Sequence, residues 1–456
     1  MSFTLEDIFN LPNAVIYYPD RYKSTTSVSI DTRSIKKNAI FVAIKGQKFD
    51  GHSFVKDAIK KGAKAIIVSN RKLKLFDDVN VPIISVKNTL DAYAELAKIY
   101  RNKLNAKVIS ITGSNGKTST KEILTHLLSA KYKVHKTLAN NNNQIGVPLT
   151  ILSAPKNTEI IVVEHGTNHF GEINYTAKIA QPDIALITNI GNSHTKFLIS
   201  KERILEEKSR LFDHLKTDGF VFINSDDTLL KKLKVKNAKI TFGYKGKCDV
   251  KGFIKNVRED GTQSISVEGF NKKLEVKLPL IGESNFKNYI SAVSIALKLG
   301  ISKKDIIKQT SSLAPVKGRV QKTDYKNFAI IDDTYNSNPD SVLGAIKLLS
   351  SMNRYSERII VFGDMFELGK ASSKHHIEIA KEIKKLDIDS VLTLGKESKK
   401  IVRELDKLKS KKHFYDRKSL KRYLQQMELN NSIILFKGSR GMRMEEFVKT
   451  LEKRAA

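Results

Sequence analysis

Residues 107–122 read KVISITGSNGKTSTKE: a β-branched run breaks into a turn with glycines at 113 and 116, and a helix opens at Lys117. A strand that ends in a glycine turn and resumes as a helix commits the chain to layered α/β architecture, because the helix must pack back on the sheet that the strand belongs to. The same turn gathers backbone N–H groups and the positive end of the helix on one point, which suits phosphate oxygens. Gly113, Ser114, Asn115, Gly116, Lys117, Thr118 and Ser119 are therefore read as a nucleotide-phosphate cradle, with Lys117 adding a point charge and the Thr118 hydroxyl suited to Mg²⁺. Only Ser114 and Asn115 separate the glycines, where the usual phosphate loop has four residues. The strand–turn–helix context, not the spacing, carries this reading.

With 456 residues the chain exceeds what one hydrophobic core fills, so several domains are expected. A formal charge of +32 would suit a polyanionic partner, but the lysines are spread along the whole chain. They fall on the polar faces of helical patterns such as Lys121 to Lys133 and Lys381 to Lys385. That pattern reads as solvated surface and argues against a nucleic-acid partner. One cysteine, Cys248, precludes an internal disulfide, and the ten histidines form no Cys/His zinc pattern. The N-terminus lacks a basic segment followed by an apolar one, and no stretch reaches the ~18 apolar residues of a membrane span. A cytoplasmic protein without a membrane span is expected.

Three units emerge along the chain: a small α/β unit over 1–86, a central nucleotide-binding unit over 87–314, and a second doubly wound unit over 315–456. In the first, strands near Ile40–Ile44 and Ala65–Val68 flank a helix over 54–61. In the second, apolar strands at 159–163, 184–188 and 221–224 alternate with helices, one of them over 204–215, and imply a mostly parallel sheet. Short glycine-broken runs over 247–280 suggest a β-rich insertion, and Ala314–Arg319 makes a hinge. The last unit alternates strands at 328–331, 358–363, 390–394 and 433–437 with helices.

In open α/β sheets ligands gather at the carboxyl ends of strands. Glu164 ends an apolar strand there and is suited to a cation bridging nucleotide phosphates; His194 follows the next strand and reaches the same rim. Lys208, in a charged helical stretch, reads from local pattern as an ordinary surface lysine. Asp332-Asp333-Thr334-Tyr335-Asn336-Ser337-Asn338-Pro339 joins carboxylates, a phenol and amides at a strand end, as do Gly363–Gly369 and Lys437–Gly441.

Taken in order, TGSNGKTST, VVEHGTNH, TNIGNSH, KGR, DDTYNSNP, GDMFELG and FKGSRGM resemble the Mur ligases of bacterial cell-wall synthesis over nearly the whole chain. The shortened phosphate loop is the form that family uses. The run Asn140–Pro148, DDTYNSNP and GDMFELG resemble the member that adds D-Ala-D-Ala to UDP-N-acetylmuramoyl-tripeptide, and the Asp-Asn-Pro-Arg signature of the diaminopimelate-adding member is absent. The resemblance implies a three-domain fold: a UDP-binding domain, a central P-loop-type ATPase domain and a C-terminal Rossmann-like domain.

It also implies an ATP-dependent amide ligase, expected to act as a monomer. The peptide carboxylate takes the γ-phosphoryl group as an acyl phosphate and the dipeptide amine displaces phosphate, with two Mg²⁺ ions offsetting the crowded negative oxygens. By match to family motifs, Lys117 and Thr118 serve the phosphates and first metal with Glu164, while His194 and a carbamylated Lys208 hold the second. Asn285 and Asn288 lie near adenine, and Arg319 and Asp333 contact the nucleotide. Asp31, Thr32, Arg33, Lys45 and Gly46 serve the UDP substrate; Asn142, Asn143, Tyr335, Asn336 and Asn338 shape the peptide and dipeptide sites. Two positions depart from the family pattern: Ser284 stands where histidine is usual, and Thr195 and Lys196 stand where an acidic residue follows His194. Alternatives are a Mur-type ligase with another amino-acid donor and a basic ATPase that binds nucleic acid.

Overall fold

The computed structural model describes residues 2–192, 195–406 and 408–455; the roles expected of His194 fall outside them. Among the described residues the strands form three sheets. The first contains β1 (Val15–Tyr17), β2 (Ser27–Ser29), β3 (Ala39–Val42), β4 (Ala63–Ser69) and β5 (Ile83–Val86) in the order β1-β5-β4-β3-β2, parallel except for β1.

The second sheet runs β14-β13-β12-β11-β10-β9-β6-β8-β7. Its parallel part comprises β6 (Lys107–Thr112), β7 (Val134–Lys136), β8 (Ile160–Glu164), β9 (Ile184–Ile187), β10 (Phe220–Asn224) and β11 (Ala238–Gly243). The expected β-rich insertion is a meander, β12 (Val250–Val257), β13 (Gln263–Gly269) and β14 (Lys272–Leu278), joined antiparallel and continuing the same sheet. The third sheet, in the order β15-β16-β20-β17-β18-β19, uses β15 (Gln321–Asp324), β16 (Phe328–Asp333), β17 (Glu357–Gly363), β18 (Ser390–Leu394), β19 (Ser410–Phe414) and β20 (Ser432–Lys437).

The central strands, buried but for Lys107, are near-continuous apolar runs, as parallel strands covered on both faces must be. The helix expected over 204–215 is shorter: Lys201–Ser209 is α-helical, and a separate 3-10 turn covers Phe212–His214.

The helix Thr89–Lys103 lies between the first two sheets. Its Ala92, Tyr93, Leu96, Ala97 and Tyr100 share one hydrophobic core with Ile40, Val42, Ala65 and Ile67 on one side and Val108, Ile161 and Val163 on the other. Polar clasps fix its end: the Tyr100 hydroxyl donates to the Ala154 carbonyl at 2.8 Å, and buried Arg101 donates to the Ala180 carbonyl and the Asp183 carboxylate, each at 2.9 Å. The opposite face of the second sheet packs the phosphate helix Lys117–Leu128 and the helix Glu283–Lys298 into a separate core. The third sheet has its own core on each face, and Ile281 at the edge of the central unit joins one of them.

Candidate active site

The phosphate loop leaves β6 at the carboxyl edge of the second sheet. Gly113 has φ +147°, and a Cβ there would lie 1.9 Å from the Thr188 hydroxyl. Gly116 has φ +81°, and its Cβ would lie 2.1 Å from Asn288 Oδ1. Both positions therefore require glycine, for conformation and for space. Asn115 is fixed through its backbone: its N–H donates to Asn189 Oδ1 at 3.0 Å, and its carbonyl accepts from the Thr188 hydroxyl at 2.6 Å. Ser114 exchanges hydrogen bonds with Gly191, accepting from its N–H at 2.9 Å. The loop is held by the neighbouring strand β9 and its extension, which leaves its outer surface for a ligand.

Lys117 folds over the loop, its ammonium donating to the Gly113 carbonyl at 2.7 Å, and burial holds its pKa below the ordinary lysine value. Thr118 is the meeting point. Its hydroxyl donates to Glu164 Oε1 at 3.1 Å and accepts from Arg319 Nη2 at 3.0 Å. Glu164, 1% exposed, takes a second bond on Oε1 from Asn142 Nδ2 at 2.8 Å. Its other oxygen, Oε2, is buried without a hydrogen bond. A buried carboxylate oxygen left without a donor is costly, and a hard divalent cation is the partner its chemistry suits. The donors at this point, a hydroxyl and a carboxylate, fit Mg²⁺ with phosphate oxygens completing its shell; among the described residues no cluster of three His, Cys, Asp or Glu side chains offers a self-sufficient metal cage.

Lys208 corrects the reading of a surface lysine: it is 1% exposed, at the end of the helix that starts at Lys201. Burial, and then the nearby Lys117 ammonium, push its pKa well below the usual value against the pull of Glu207. Glu207 is otherwise engaged, accepting from the N–H groups of Gly171 and Ile173 at 2.8 Å each, where the helix Glu172–Ala180 begins. Lys121 is a second correction, 0% exposed where the polar-face pattern predicts solvent.

Across the hinge, Arg319 stacks on Tyr335, with the guanidinium carbon 3.9 Å from the ring centroid. Asp333 pairs with buried Lys437 and accepts from the Val320 N–H, so it braces the hinge strand. Asn336 caps the Ser337 N–H. Asn338 caps the helix Pro339–Ser350 and donates to Asn115 Oδ1 of the phosphate loop at 2.7 Å. Two residues later Asp340, which sequence reasoning missed, accepts from the Asn192 N–H at 2.7 Å.

The remaining expected residues separate. Asn142 sits on Glu164, and Asn143 accepts from the N–H groups of Ile145 and Gly146 at the next helix start. Asn285 donates to the Ile281 carbonyl at 2.9 Å and lines a cleft of about 300 Å³ with Ser119, Glu122, His126 and hinge residues Ala314 to Val316. Asn288 backs Gly116 and accepts from Thr120. In the first unit, Asp31-Thr32-Arg33 follows β2 and Lys45-Gly46 follows β3, so adjacent parallel strands bring both to one sheet edge. Arg33 there is 88% exposed at its side chain and pairs with Asp31, which it holds down to a pKa of about 2.

Comparison with known proteins places this geometry in context. The middle domain of the Mur ligase family matches residues 111–296, the domain described as Mur ligase, glutamate ligase domain, matches 318–440, and the Mur ligase family catalytic domain matches 24–101. The chain is 36% identical to the UDP-N-acetylmuramoyl-tripeptide–D-alanyl-D-alanine ligase of Bacillus subtilis over 98% of both chains, and 32% identical to that of Escherichia coli over 99% of both. A crystal structure of MurF from Acinetobacter baumannii superposes with a TM-score of 0.90 at 29% identity, covering 99% of each chain. MurF from Thermotoga maritima in complex with ADP gives 0.83 at 30% identity, over 94% of this chain and 98% of that one.

Proposed function

The chain belongs to the Mur ligase family, and from that premise we infer an enzyme that joins D-Ala-D-Ala to UDP-N-acetylmuramoyl-tripeptide at the expense of ATP, forming the pentapeptide precursor of peptidoglycan. The observation that carries the chemistry is the convergence of Thr118, Glu164 and Arg319 at the mouth of the phosphate loop.

A carboxylate is too poor an electrophile to acylate an amine at neutral pH. We propose that the tripeptide carboxylate attacks the γ-phosphorus of ATP, giving an acyl phosphate and ADP; the dipeptide amine then attacks the acyl carbon, phosphate departs and the amine proton is released. The loop N–H groups and Lys117 hold the phosphates, the ammonium exchanging the Gly113 carbonyl for a phosphate oxygen. Arg319, rigidified by Tyr335, brings a second cation from across the hinge.

Thr118 and Glu164 are the proposed holders of one Mg²⁺; a second would be held by His194 and Lys208. Burial disfavours the Lys208 ammonium, and the neutral amine that it favours would add carbon dioxide and lose a proton, which would convert a repelling cation into an anionic carbamate. Bound Mg²⁺ would neutralise the negative oxygens that must approach one another.

Adenine is assigned to the cleft lined by Asn285 and the hinge, and the UDP group to the edge bearing Arg33 and Lys45. Among the described residues no helix is long and apolar enough to cross a membrane; ATP dependence supports a cytoplasmic enzyme, proposed to act as a monomer. The test is phosphate release by purified enzyme with ATP, UDP-N-acetylmuramoyl-tripeptide and D-Ala-D-Ala. Release should require all three, and equal release with single amino acids would overturn the dipeptide assignment.

A further inference from the structure

Lys121 follows Lys117 by one helical turn on the phosphate helix, so both side chains leave the same face, yet neither the phosphate loop nor the hinge uses it. An ammonium with 0% exposure is retained in a protein interior only where hydrogen bonds and charge compensate its lost hydration. Here it donates to the Thr137 carbonyl at 2.7 Å and the Ala139 carbonyl at 3.4 Å, the first and third residues after edge strand β7. Its carboxylates are Glu122 at 3.2 Å and Glu164 Oε2 at 3.6 Å.

The 3.6 Å separation matters. It exceeds hydrogen-bonding distance, so the ammonium supplies charge to Glu164 without occupying its Oε2. Thr137 completes a circuit, since its hydroxyl accepts the Glu164 N–H at 3.0 Å while its carbonyl accepts from Lys121. Beyond it the chain passes through Ala139, which holds a left-handed φ of 49°, to Asn142, whose amide returns to Glu164 Oε1. A left-handed alanine persists only where its surroundings fix it, and the Lys121 bond to its carbonyl is such a constraint.

We propose that Lys121 is a positioning residue: it pins the 137–143 loop to the phosphate helix and thereby seats Asn142 and the Glu164 carboxylate at the reaction site. This rests on the reading that Glu164 serves the reaction. The lysine would tie the nucleotide-binding helix to the loop of asparagines beside it, so that one buried cation serves both.

The test is Lys121→Met, which keeps length and removes the charge and donors. Amide hydrogen exchange over 137–145 should accelerate at least tenfold in the protein without substrates, while exchange over 107–116 stays unchanged. Turnover should fall at least tenfold through kcat, with KM for ATP moving less than threefold. Combining Lys121→Met with Asn142→Ala should add little to either single loss. Wild-type exchange over 137–145 would overturn the proposal, and so would additive losses. If the methionine variant does not fold, Lys121→Gln carries the same readouts, and unaltered exchange in it is equally fatal. Exchange requires no cation, so normal turnover in Glu164→Gln would refute the role of Glu164 while leaving the loop-pinning result to stand or fall separately.

Discussion

The central unit is joined to its two neighbours by opposite kinds of chemistry. Toward the N-terminal sheet, the helix Thr89–Lys103 merges two layers into one hydrophobic core. Toward the C-terminal sheet, directed polar contacts do much of the joining: Arg319 to Thr118, Asn338 to Asn115 and Asp340 to the Asn192 N–H. Apolar burial is non-directional and strong in sum, which suits a joint that should not move. Single hydrogen bonds contribute ~1 kcal/mol each and can be exchanged for bonds to a ligand, which suits a joint that opens and closes around substrates. The candidate site lies on the exchangeable side.

That contrast can be broken at four points. Arg319→Ala removes the cation delivered across the hinge and should lower kcat/KM by ~100-fold or more, with the unfolding midpoint unchanged; a variant that loses stability but keeps activity would invert the comparison. Leu96→Ala, on the other side, empties a fully buried position in the shared core. Denaturant unfolding should show a loss of ~3 kcal/mol, with turnover per folded molecule within twofold of wild type.

Acidity should also act on the apolar side. His165 lies between the Ser110 and Thr176 hydroxyls, on the face of the sheet that bears that core, and burial lowers its pKa to about 3. The unfolded chain therefore takes up the proton first. Its contribution to stability is complete above the ordinary value of 6.5 and is lost as the pH falls through that value toward 3. From pH 7 to pH 5 this amounts to ~2 kcal/mol, readable as a falling urea midpoint that His165→Gln should flatten. The smallest effect belongs to Asp340→Ala: a turnover loss of ~3- to 10-fold, an unchanged melting temperature, and solution scattering shifted toward a more open particle, as one lost polar contact implies.

Much of this was legible in the chain. The β-branched run and glycines of 107–118 fixed the phosphate loop, and apolar runs located β8, β9, β16 and β17. The strands that escaped notice, such as β7 and β19, are short or lysine-bearing edge strands, whose solvated sides erase the apolar signal. Lys208 and Lys121 failed for one reason: helical pattern assigns a lysine to water unless something distant claims it. For Lys121 a clue was present, because it lies one turn beyond Lys117 on the same face. Asp340 left no such clue, since its partner Asn192 is 148 residues away in sequence and only the packing of the third sheet's unit on the central one brings them together. The bond from Asn142 to Glu164 was also missed, although only 22 residues separate the two.

The most direct test follows oxygen. With UDP-N-acetylmuramoyl-tripeptide labelled with ¹⁸O in its terminal carboxylate, acyl phosphate formation requires one labelled oxygen to leave with each inorganic phosphate as the dipeptide is joined. Phosphate carrying that label, and its loss from the new amide in equal measure, is the predicted result. Peptide formation accompanied by unlabelled phosphate would contradict the account.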